Sequence, residues 1–426
     1  MNKKSILLAM VLFVFALNSC EKDDKPQVES SSNLPDISGY PIVSSSQTNS
    51  YNNNTIIALP TSGQDFYGQN SNYIGTSHNY VDNGDGTITD MVTGLMWTQS
   101  PDWNNDGFIN YSDKQTLADA ESDAETSTFA GYDDWRLPSI KELYSLVMFH
   151  GAEPSPTATS QGTAVPFINT NYFEFGYGDL SAGERLIDAQ YATTTIYVST
   201  TMNGDRTMFG YNFADGRIKG YPTDINPGMQ SNEANRFYVL YVRGNSEYGQ
   251  NDFLDNGNET ITDNATGLMW TQNDSGMAML WKDALAYAEN YEFAGYSDWR
   301  LPDPKELHSI VDYSRSPATT NTAAIDPIFN ASLITNEAGA IDYPYYWTNT
   351  TFCSQSHSQG SQAVYFSFGR SLGYINGNWI DVHGAGAQRS DPKTGDPTSA
   401  TYSQGFGPQN DAVRISNFVR LVRNVE

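Results

Sequence analysis

The fold is decided by a stretch that the chain contains twice, DNGDGTITDMVTGLMWTQ at 82–99 and DNGNETITDNATGLMWTQ at 255–272. The two copies are identical at 14 of 18 positions. Each opens on an Asn-Gly turn signal, continues into the β-favouring run TIT, and returns through the apolar run GLMW. We therefore predict a β-hairpin in each copy.

A second pair of matching stretches follows, FAGYDDWRLPSIKELYSLV at 129–147 and FAGYSDWRLPDPKELHSIV at 293–311. Here 14 of 19 positions are identical. Directly after WRLP, Ser139 and Asp303 each stand three residues before a glutamate, which is the pattern of a helix capping box. The sequence therefore predicts a short helix after each WRLP.

The remaining elements also come in matched pairs. Apolar residues recur at helical spacing within 117–124 and within 281–288, which predicts one earlier helix in each copy. Strands are predicted at 197–200, 208–213 and 237–242 in the first copy and at 347–350, 363–368 and 418–422 in the second. Two helices packed on antiparallel strands make each copy an α+β domain.

Four tryptophans and two arginines lie inside the repeated motifs. The tryptophans border predicted strands and helices, so we assign them to the core; they are Trp97, Trp135, Trp270 and Trp299. Arg136 and Arg300 follow two of them, and we expect each guanidinium to pair with a nearby carboxylate or with backbone carbonyls.

The two copies predict two domains. Each copy is long enough to bury a core of its own, so the repeat is a tandem duplication and not a solenoid. We place the first domain at 40–246 and the second at 247–426, and we expect them to fold independently and to meet near 244–250. The copies differ by an insertion of nine residues in the first.

The N-terminus has the features of an exported lipoprotein. Residues 1–19 form a signal peptide, with Lys3 and Lys4 before an apolar run that is short for a membrane span. The run ends at Leu-Asn-Ser-Cys, which resembles a bacterial lipobox, so we predict that Cys20 is lipidated. Residues 20–39 are an acidic, disordered tether. We expect an outer-membrane protein that faces the extracellular side and touches the membrane only through its lipid.

Composition narrows the classes of ligand. The formal net charge is −26, which repels nucleic acids and sulfated polymers and favours neutral ligands or divalent cations. The 27 tyrosines serve either as strand and core material or as aromatic platforms for sugars. Besides Cys20 the chain has only Cys353, so the two cysteines offer no disulfide between folded segments.

The repeated motifs resemble a known family. DNGDGTITD, TGLMW and GYDDWRLPSIKEL, with YWTNTT, AVYFSFGR and FVRLVR in the second copy, are similar to the C-terminal domain of the Legionella collagen-like protein. The RLP-x-x-x-E-L core is also similar to a segment of formylglycine-generating enzymes. The resemblance implies two C-type-lectin-like domains on a surface adhesin. In its founding member the domain binds sulfated glycosaminoglycans, a ligand that needs clustered lysine and arginine.

The insertion of the first copy predicts a calcium site. Counted from Asp102, the segment 102–113 is similar to an EF-hand loop, with oxygen-bearing side chains, a carbonyl and a turn glycine at the expected positions. The proposed ligands are Asp102, Asn104, Asp106, the Phe108 carbonyl, Asn110 and Asp113. Calcium is the only cofactor that we predict, and only in the first copy.

A long polar segment of the second copy, 381–405, is predicted to be a loop between the last strands. Long loops in compact domains are usually functional or mobile. We therefore assign it a ligand site formed by His383, Arg389, Asp391 and Lys393.

Three functions stay open. The first is a binding or adhesion module for glycans or for a protein on a host or cell-envelope surface. The second is an enzyme with a carboxylate-based site, since the chain has many acidic residues but no recognisable nucleophile motif. The third is a structural surface protein that docks another protein, for which two copies would raise avidity.

Overall fold

The structure is a computed structural model, and it describes residues 34, 35, 37–223 and 234–425. The predicted signal peptide and Cys20 lie outside these residues. From Leu34 to the C-terminus the chain forms one compact unit. Within the described ranges, no helix has the length and apolarity needed to cross a membrane.

The first copy contains twelve of the described strands and two of the described α-helices. The strands are β1 Ser50–Tyr51, β2 Ile56–Ile57, β3 Tyr80–Asp82, β4 Thr87–Asp90, β5 Leu95–Thr98, β6 Gln115–Thr116, β7 Gln190–Tyr191, β8 Ile196–Thr201, β9 Asp205–Asn212, β10 Arg217–Pro222, β11 Arg236–Phe237 and β12 Val242–Gly244. The helices are α1 Leu117–Thr126 and α2 Ile140–Ser145.

The second copy repeats this order in outline. Its strands are β13 Phe253–Asp255, β14 Thr260–Asp263, β15 Leu268–Thr271, β16 Ile334–Thr335, β17 Ile341–Asp342, β18 Tyr345–Phe352, β19 Gln362–Ser367, β20 Leu372–Ile375, β21 Asn378–Asp381, β22 Gln388–Pro392 and β23 Val422–Asn424. Its helices are α3 Trp281–Glu289 and α4 Pro304–Ser309. The described chain is mostly sheet with few helices, which confirms the α+β class.

The predicted hairpins are present in both copies. β4 pairs antiparallel with β5 and places Ile88 opposite Trp97, and β14 pairs with β15 and places Ile261 opposite Trp270. All four of these side chains are completely buried. Trp135 and Trp299 are also buried, which confirms the core assignment of the tryptophans.

The predicted helices are present as well. α2 and α4 begin after their N-caps Ser139 and Asp303, and both capping boxes are complete. Arg136 pairs with the capping-box residue Glu142, and Arg300 pairs with its equivalent in the second copy, as the sequence predicted. The WRLP motif therefore leads directly into a capped helix, and the arginine of the motif pairs with the glutamate of the capping box.

Two predicted strands are shorter than expected. Of 237–242 only the ends lie in β11 and β12, and of 418–422 only Val422 lies in β23. The middle of the first segment passes from one sheet to another: Tyr238 N donates to Gln190 O, whereas the carbonyl of Tyr241 accepts from Thr98 N. A segment that changes partners does not form one continuous ladder.

The two copies are joined by one sheet of seven strands, with the order β18-β19-β22-β10-β9-β7 and β8 also paired to β9. β10 is the third strand of the meander in the first copy, and β22 holds the same place in the second. They pair antiparallel, with Ile218 opposite Gln388. The copies thus meet through equivalent strands, as two subunits related by a two-fold axis do.

Two buried lysines show the same symmetry. Lys141 Nζ donates to Ser309 O at 2.8 Å, and Lys305 Nζ donates to Ser145 O at 2.6 Å. The two lysines are equivalent in the repeat, and so are the two serines. Each copy therefore holds the other through the same contact, which gives the chain an internal pseudo-two-fold axis.

The two copies also share part of their apolar core. Tyr144 of α2 packs against His308 of α4 at 4.4 Å and against Phe366 of β19 at 5.9 Å between ring centroids. One apolar cluster contains residues of both hairpins and of both meanders. Because this core is shared, the limits 40–246 and 247–426 describe sequence copies and stay predictions as folding units.

The first residues of the first copy also pack on the second copy. Between residues 40 and 73 the chain runs along the second copy, and we call this segment the strap. Tyr40 N donates to Ala265 O at 3.0 Å, and Ser45 N donates to Asp303 Oδ2 at 3.0 Å. The first residues predicted for the first domain thus stabilise the hairpin and the helix α4 of the second.

Candidate functional site

The segment 381–405 is not a loop throughout, and the prediction is corrected. Residues Gln388–Pro392 form β22, in the middle of the seven-stranded sheet between β19 and β10. The polar run was misleading because neither partner strand adjoins it in the sequence: β19 precedes it by two further strands, and β10 belongs to the other copy. The candidate ligand residues are therefore held on a rigid sheet.

Beside this strand pair lies a cleft that both copies line, and we call it the junction cleft. It consists of two adjoining cavities of about 240 and 200 Å³ that share Arg185, Ile187, Lys219 and Gln409. Asp215 and Arg217 of the first copy and Arg389 and Asp411 of the second line the larger cavity. His383 lines the smaller one.

Strand alternation explains why charged residues collect here. Ile218 and Gln388 are register partners and face the buried side of the sheet. Their neighbours Arg217, Lys219 and Arg389 therefore project from the opposite face, because successive side chains of a strand alternate between faces. Two equivalent strands thus bring cations of both copies to one surface of an acidic protein.

Each cation in the cleft has a carboxylate partner. Arg217 binds Glu153 through two nitrogen–oxygen contacts of 2.5 and 3.1 Å, and Lys219 pairs with Asp215. Burial lowers the pKa of Lys219, although Asp215 opposes this effect. These buried pairs leave the cleft close to electrical neutrality, in contrast to the chain as a whole.

Asp411 connects His383 and Arg389. Its Oδ1 lies 2.9 Å from His383 Nε2, and its Oδ2 pairs with Arg389. Burial, together with Arg389, lowers the pKa of His383 to about 4, so the imidazole is neutral at pH 7. Burial opposes ionisation of Asp411, but the charge of Arg389 and the hydrogen bonds from Arg389 and His383 outweigh it and hold the pKa of Asp411 below its usual value. The proton of His383 is therefore assigned to Nε2, which leaves a lone pair on Nδ1.

Several buried atoms of the cleft have no hydrogen-bond partner among the described residues. They are Arg389 Nε and Nη1, His383 Nδ1 and Asp215 Oδ1. The two Arg389 nitrogens are donors, whereas the other two atoms are acceptors. Buried polar groups are normally satisfied, and exceptions of this kind cluster where a protein receives a ligand or ordered water.

Two of the four predicted ligand residues serve the fold. Asp391 lines the cleft, but its Oδ2 accepts from Arg414 N, Ile415 N and Asn417 Nδ2, and burial raises its pKa to about 6. Lys393 lies outside the cleft, where its Nζ donates to Thr351 Oγ1 at 2.7 Å and sits over the Trp281 ring. Of the four predicted ligand residues, His383 and Arg389 are the two with buried polar nitrogens that lack a hydrogen-bond partner among the described residues.

The predicted calcium loop folds as a tight set of side-chain-to-backbone bonds. Asp102 accepts from Asp106 N and Gly107 N, Asn104 also accepts from Asp106 N, and Asp106 accepts from Phe108 N. Gly107 has the positive φ, +84°, that the turn requires.

Asn110 and Asp113, the last two proposed ligands of that loop, have different roles in the structure. Asn110 caps the 3-10 helix Tyr111–Asp113, and Asp113 is buried and accepts from the backbone of Asn110 and Asn104. In the described part of the chain, no group of three or more histidine, cysteine or acidic residues is arranged to hold a metal ion. Calcium binding stays a prediction.

The cleft residues of the first copy were missed by the sequence analysis. Arg217 and Lys219 flank an apolar residue in a strand-like alternation, which predicts a shared face. What it does not predict is the partner strand, because β10 and β22 are more than 160 residues apart.

The fold and the cleft together define a class of protein: a duplicated α+β protein with a cleft lined by both copies. The chain belongs to the Lcl C-terminal domain family, whose model matches residues 86–243 and 259–381. No characterised protein and no solved structure shows significant similarity to the chain.

Proposed function

We propose that the protein is a surface-associated binding protein that takes a saccharide in the junction cleft. Membership of the Lcl C-terminal domain family suggests a surface-associated protein. The polar atoms of the cleft that lack hydrogen-bond partners support binding of a saccharide.

The observation that carries the proposal is the mixture of these free atoms. Arg389 offers two donors, whereas His383 Nδ1 and Asp215 Oδ1 are acceptors. A sugar hydroxyl both donates and accepts, so neighbouring hydroxyls satisfy both kinds of group. A simple anion only accepts hydrogen bonds and would be repelled by Asp215 and Asp411. The chemistry of the cleft therefore favours a polyhydroxylated ligand.

The size of the cleft limits the ligand. Each cavity is smaller than the roughly 300–1,000 Å³ of a drug-sized pocket. One small unit, such as a single sugar ring, suits each of the two adjoining cavities. Because one wall comes from each copy, the tandem arrangement creates the site, which separates this proposal from duplication for avidity alone.

The remaining expectations belong to the same proposal. The protein would be lipidated at Cys20 and held at the outer membrane, with the membrane contacted through the lipid. Its copies would share the C-type-lectin-like architecture that the motifs resemble. The ligand would be a glycan of a host or of the cell envelope, and nucleic acid would not bind.

A carboxylate-based enzyme is the second candidate, because one observation favours it. Burial raises the pKa of Asp391 to about 6, while the pKa of Asp411 is held low in the same cleft. Two carboxyl groups with pKa values pushed apart are the pattern of a general acid and its partner in glycoside hydrolysis. Chromatography of any bound glycan after incubation would detect hydrolysis products, and intact glycan would remove this candidate.

A glycan array tests the main proposal. The fragment from Leu34 to Glu426 is compared with Arg389→Lys, which keeps a positive charge beside Asp411 but removes the free guanidinium donors. Loss of two donors to ligand oxygens should weaken binding by about 30- to 150-fold, at about 1 to 1.5 kcal/mol each. Arg243→Lys, at a surface ion pair with Asp134, is the control and should bind as the parent does.

Two results would contradict the proposal. One is an array without any bound saccharide. The other is a bound saccharide whose affinity is the same for Arg389→Lys and for the control.

A further inference from the structure

A second cleft lies on the first copy, and neither the family nor the junction cleft accounts for it. Its volume is about 740 Å³, and it is open to solvent between the loop around Phe108 and the segment 170–176. Phe108 is 71 % exposed, which is unusual for a phenylalanine in a well-packed protein. We call this the Phe108 cleft.

The loop presents Phe108 on a fixed backbone. Phe108 N donates to Asp106 Oδ1 at 2.9 Å, and the preceding residue, Gly107, donates to Asp102 Oδ2 at 2.9 Å. The next residue, Ile109, packs so closely on Gly176 that a Cβ there would lie 2.5 Å from Ile109 Cγ2. The ring is therefore exposed on a fixed support and not at the tip of a loose loop.

The chemistry around the ring is that of a sugar site. Tyr172 and Phe175 add partly buried aromatic rings. Amide, hydroxyl and carboxylate groups come from Gln99, Thr170, Asn171, Asp102 and Glu174. Neither lysine nor arginine is among the residues that line this cleft. Aromatic faces with amide and hydroxyl neighbours suit a neutral sugar ring, whose apolar face stacks while its hydroxyls bond at the edge.

The second copy does not reproduce this chemistry. It lacks the insertion that carries Phe108, and Ile328 stands where the first copy has Tyr172, because Gln272 Nε2 donates to Ile328 O as Gln99 Nε2 donates to Tyr172 O. Ala331 likewise stands where the first copy has Phe175, because Asn330 N donates to Gln272 O as Glu174 N donates to Gln99 O. Since the two copies otherwise share their motifs, the aromatic residues form a property of the first copy alone.

We propose that the Phe108 cleft is a second saccharide subsite, which binds a neutral sugar ring by stacking on Phe108. The inference rests on the proposed function for the class of ligand but not on the junction cleft. It predicts that longer neutral glycans gain affinity from the first copy, because one ring stacks here while other rings remain free to bind elsewhere.

The probes for the test are four neutral hexasaccharides: maltohexaose, cellohexaose, mannohexaose and chitohexaose. Titration calorimetry compares the Leu34–Glu426 fragment with Phe108→Ala, Phe108→Tyr and Leu333→Ala. At least one hexasaccharide should bind; Phe108→Ala should weaken it 10-fold or more, and Phe108→Tyr should stay within 3-fold of the parent. Leu333→Ala removes an equally exposed apolar side chain from the second copy and should change nothing.

Because Phe108 is mostly exposed, its substitution leaves the fold intact, and circular dichroism checks this. The inference is overturned if no hexasaccharide binds, or if Phe108→Ala binds every hexasaccharide as the parent does. It is also overturned if tetramethylammonium binds in a Phe108-dependent way and the sugars do not, because the site would then be one for cations. Arg389→Lys separates the two sites. If Arg389→Lys weakens hexasaccharide binding and Phe108→Ala does not, this inference is removed and the proposed function is kept. If Phe108→Ala weakens binding and Arg389→Lys does not, the inference is kept and the junction cleft is removed as the saccharide site.

Discussion

The two copies bury their shared motifs in the same manner, but different segments cover them. In the second copy the strap lies on α3, where the Phe66 ring approaches Trp281 and Tyr73 donates to Glu289. In the first copy the insertion 102–113 stands beside the segment 170–176 and forms the Phe108 cleft. The matching motifs are therefore buried alike in both copies, whereas the segments that differ between the copies cover them and form the Phe108 cleft.

The two clefts differ in the number of copies that form them. The Phe108 cleft belongs to one copy, whereas the junction cleft needs a strand from each. A duplicated protein can thus gain a site at its internal axis that a single copy does not contain.

The largest effect is expected from the hairpin tryptophans. Trp97→Ala and Trp270→Ala each remove a completely buried side chain and should lower the free energy of unfolding by about 3–5 kcal/mol. Since the core is shared, both variants should unfold in one transition at a lower temperature. Scanning calorimetry that shows two transitions, with only one of them shifted by each substitution, would restore two independent domains.

A smaller effect is expected from the reciprocal lysines. Burial lowers the pKa of Lys305 to about 7 and that of Lys141 to about 8, whereas an unfolded lysine has a pKa of about 10.4. Between these values the unfolded chain binds protons that the folded chain does not, so stability rises with pH, by up to about 1.4 kcal/mol per pH unit for each lysine.

Denaturant unfolding from pH 7 to 9.5 measures this rise below the range in which unfolded tyrosines ionise. Lys305→Met should flatten the slope, and Lys141→Met should flatten it mainly above pH 8. Lys282→Met, at a surface ion pair with Asp65, is the control and should keep the parent slope. An unchanged slope in both buried-lysine variants would show that the lysines do not carry the pH dependence.

The calcium prediction concerns the first copy alone. Titration of the Leu34–Glu426 fragment with calcium should give heat with a dissociation constant of about 0.1–1 mM, the range of weak extracellular sites. Asp106→Ala should abolish the heat, because it removes a carboxylate at the third ligand position. Equal heat in parent and variant would place calcium elsewhere, and its absence in both would remove the site.

The smallest effect on stability is expected from an ion pair between the strap and the second copy. Lys282 and Asp65 form an exposed ion pair, 2.6 Å apart, between α3 and the strap. Such pairs contribute about 0–1 kcal/mol, so Asp65→Asn should change the thermal midpoint by only a few degrees at most. A shift of 10 °C or more would mean that the strap holds the second copy much more strongly than this pair indicates.

The sequence predicted the local structure well and the long-range structure poorly. Hairpins, capping boxes and core tryptophans were correct because a turn signal or a spacing of three or four residues contains the physics that forms them. The strand at Gln388 was missed because its stability comes from burial between β19 and β10. His383 and Arg389 were found as polar residues in an unusual segment, whereas Arg217 and Lys219 became visible only once the two copies were paired.

Our proposed function requires that residues of both copies bind one ligand in the junction cleft. A double-mutant cycle tests it with Asp215→Asn from the first copy and Arg389→Lys from the second, and the measured quantity is the affinity for the best saccharide of the glycan array. We expect each substitution to weaken binding and the two effects to be non-additive by about 0.5–3 kcal/mol, because both groups bind one ligand. Additive effects, or an affinity that only one of the two substitutions changes, would contradict a site built by both copies.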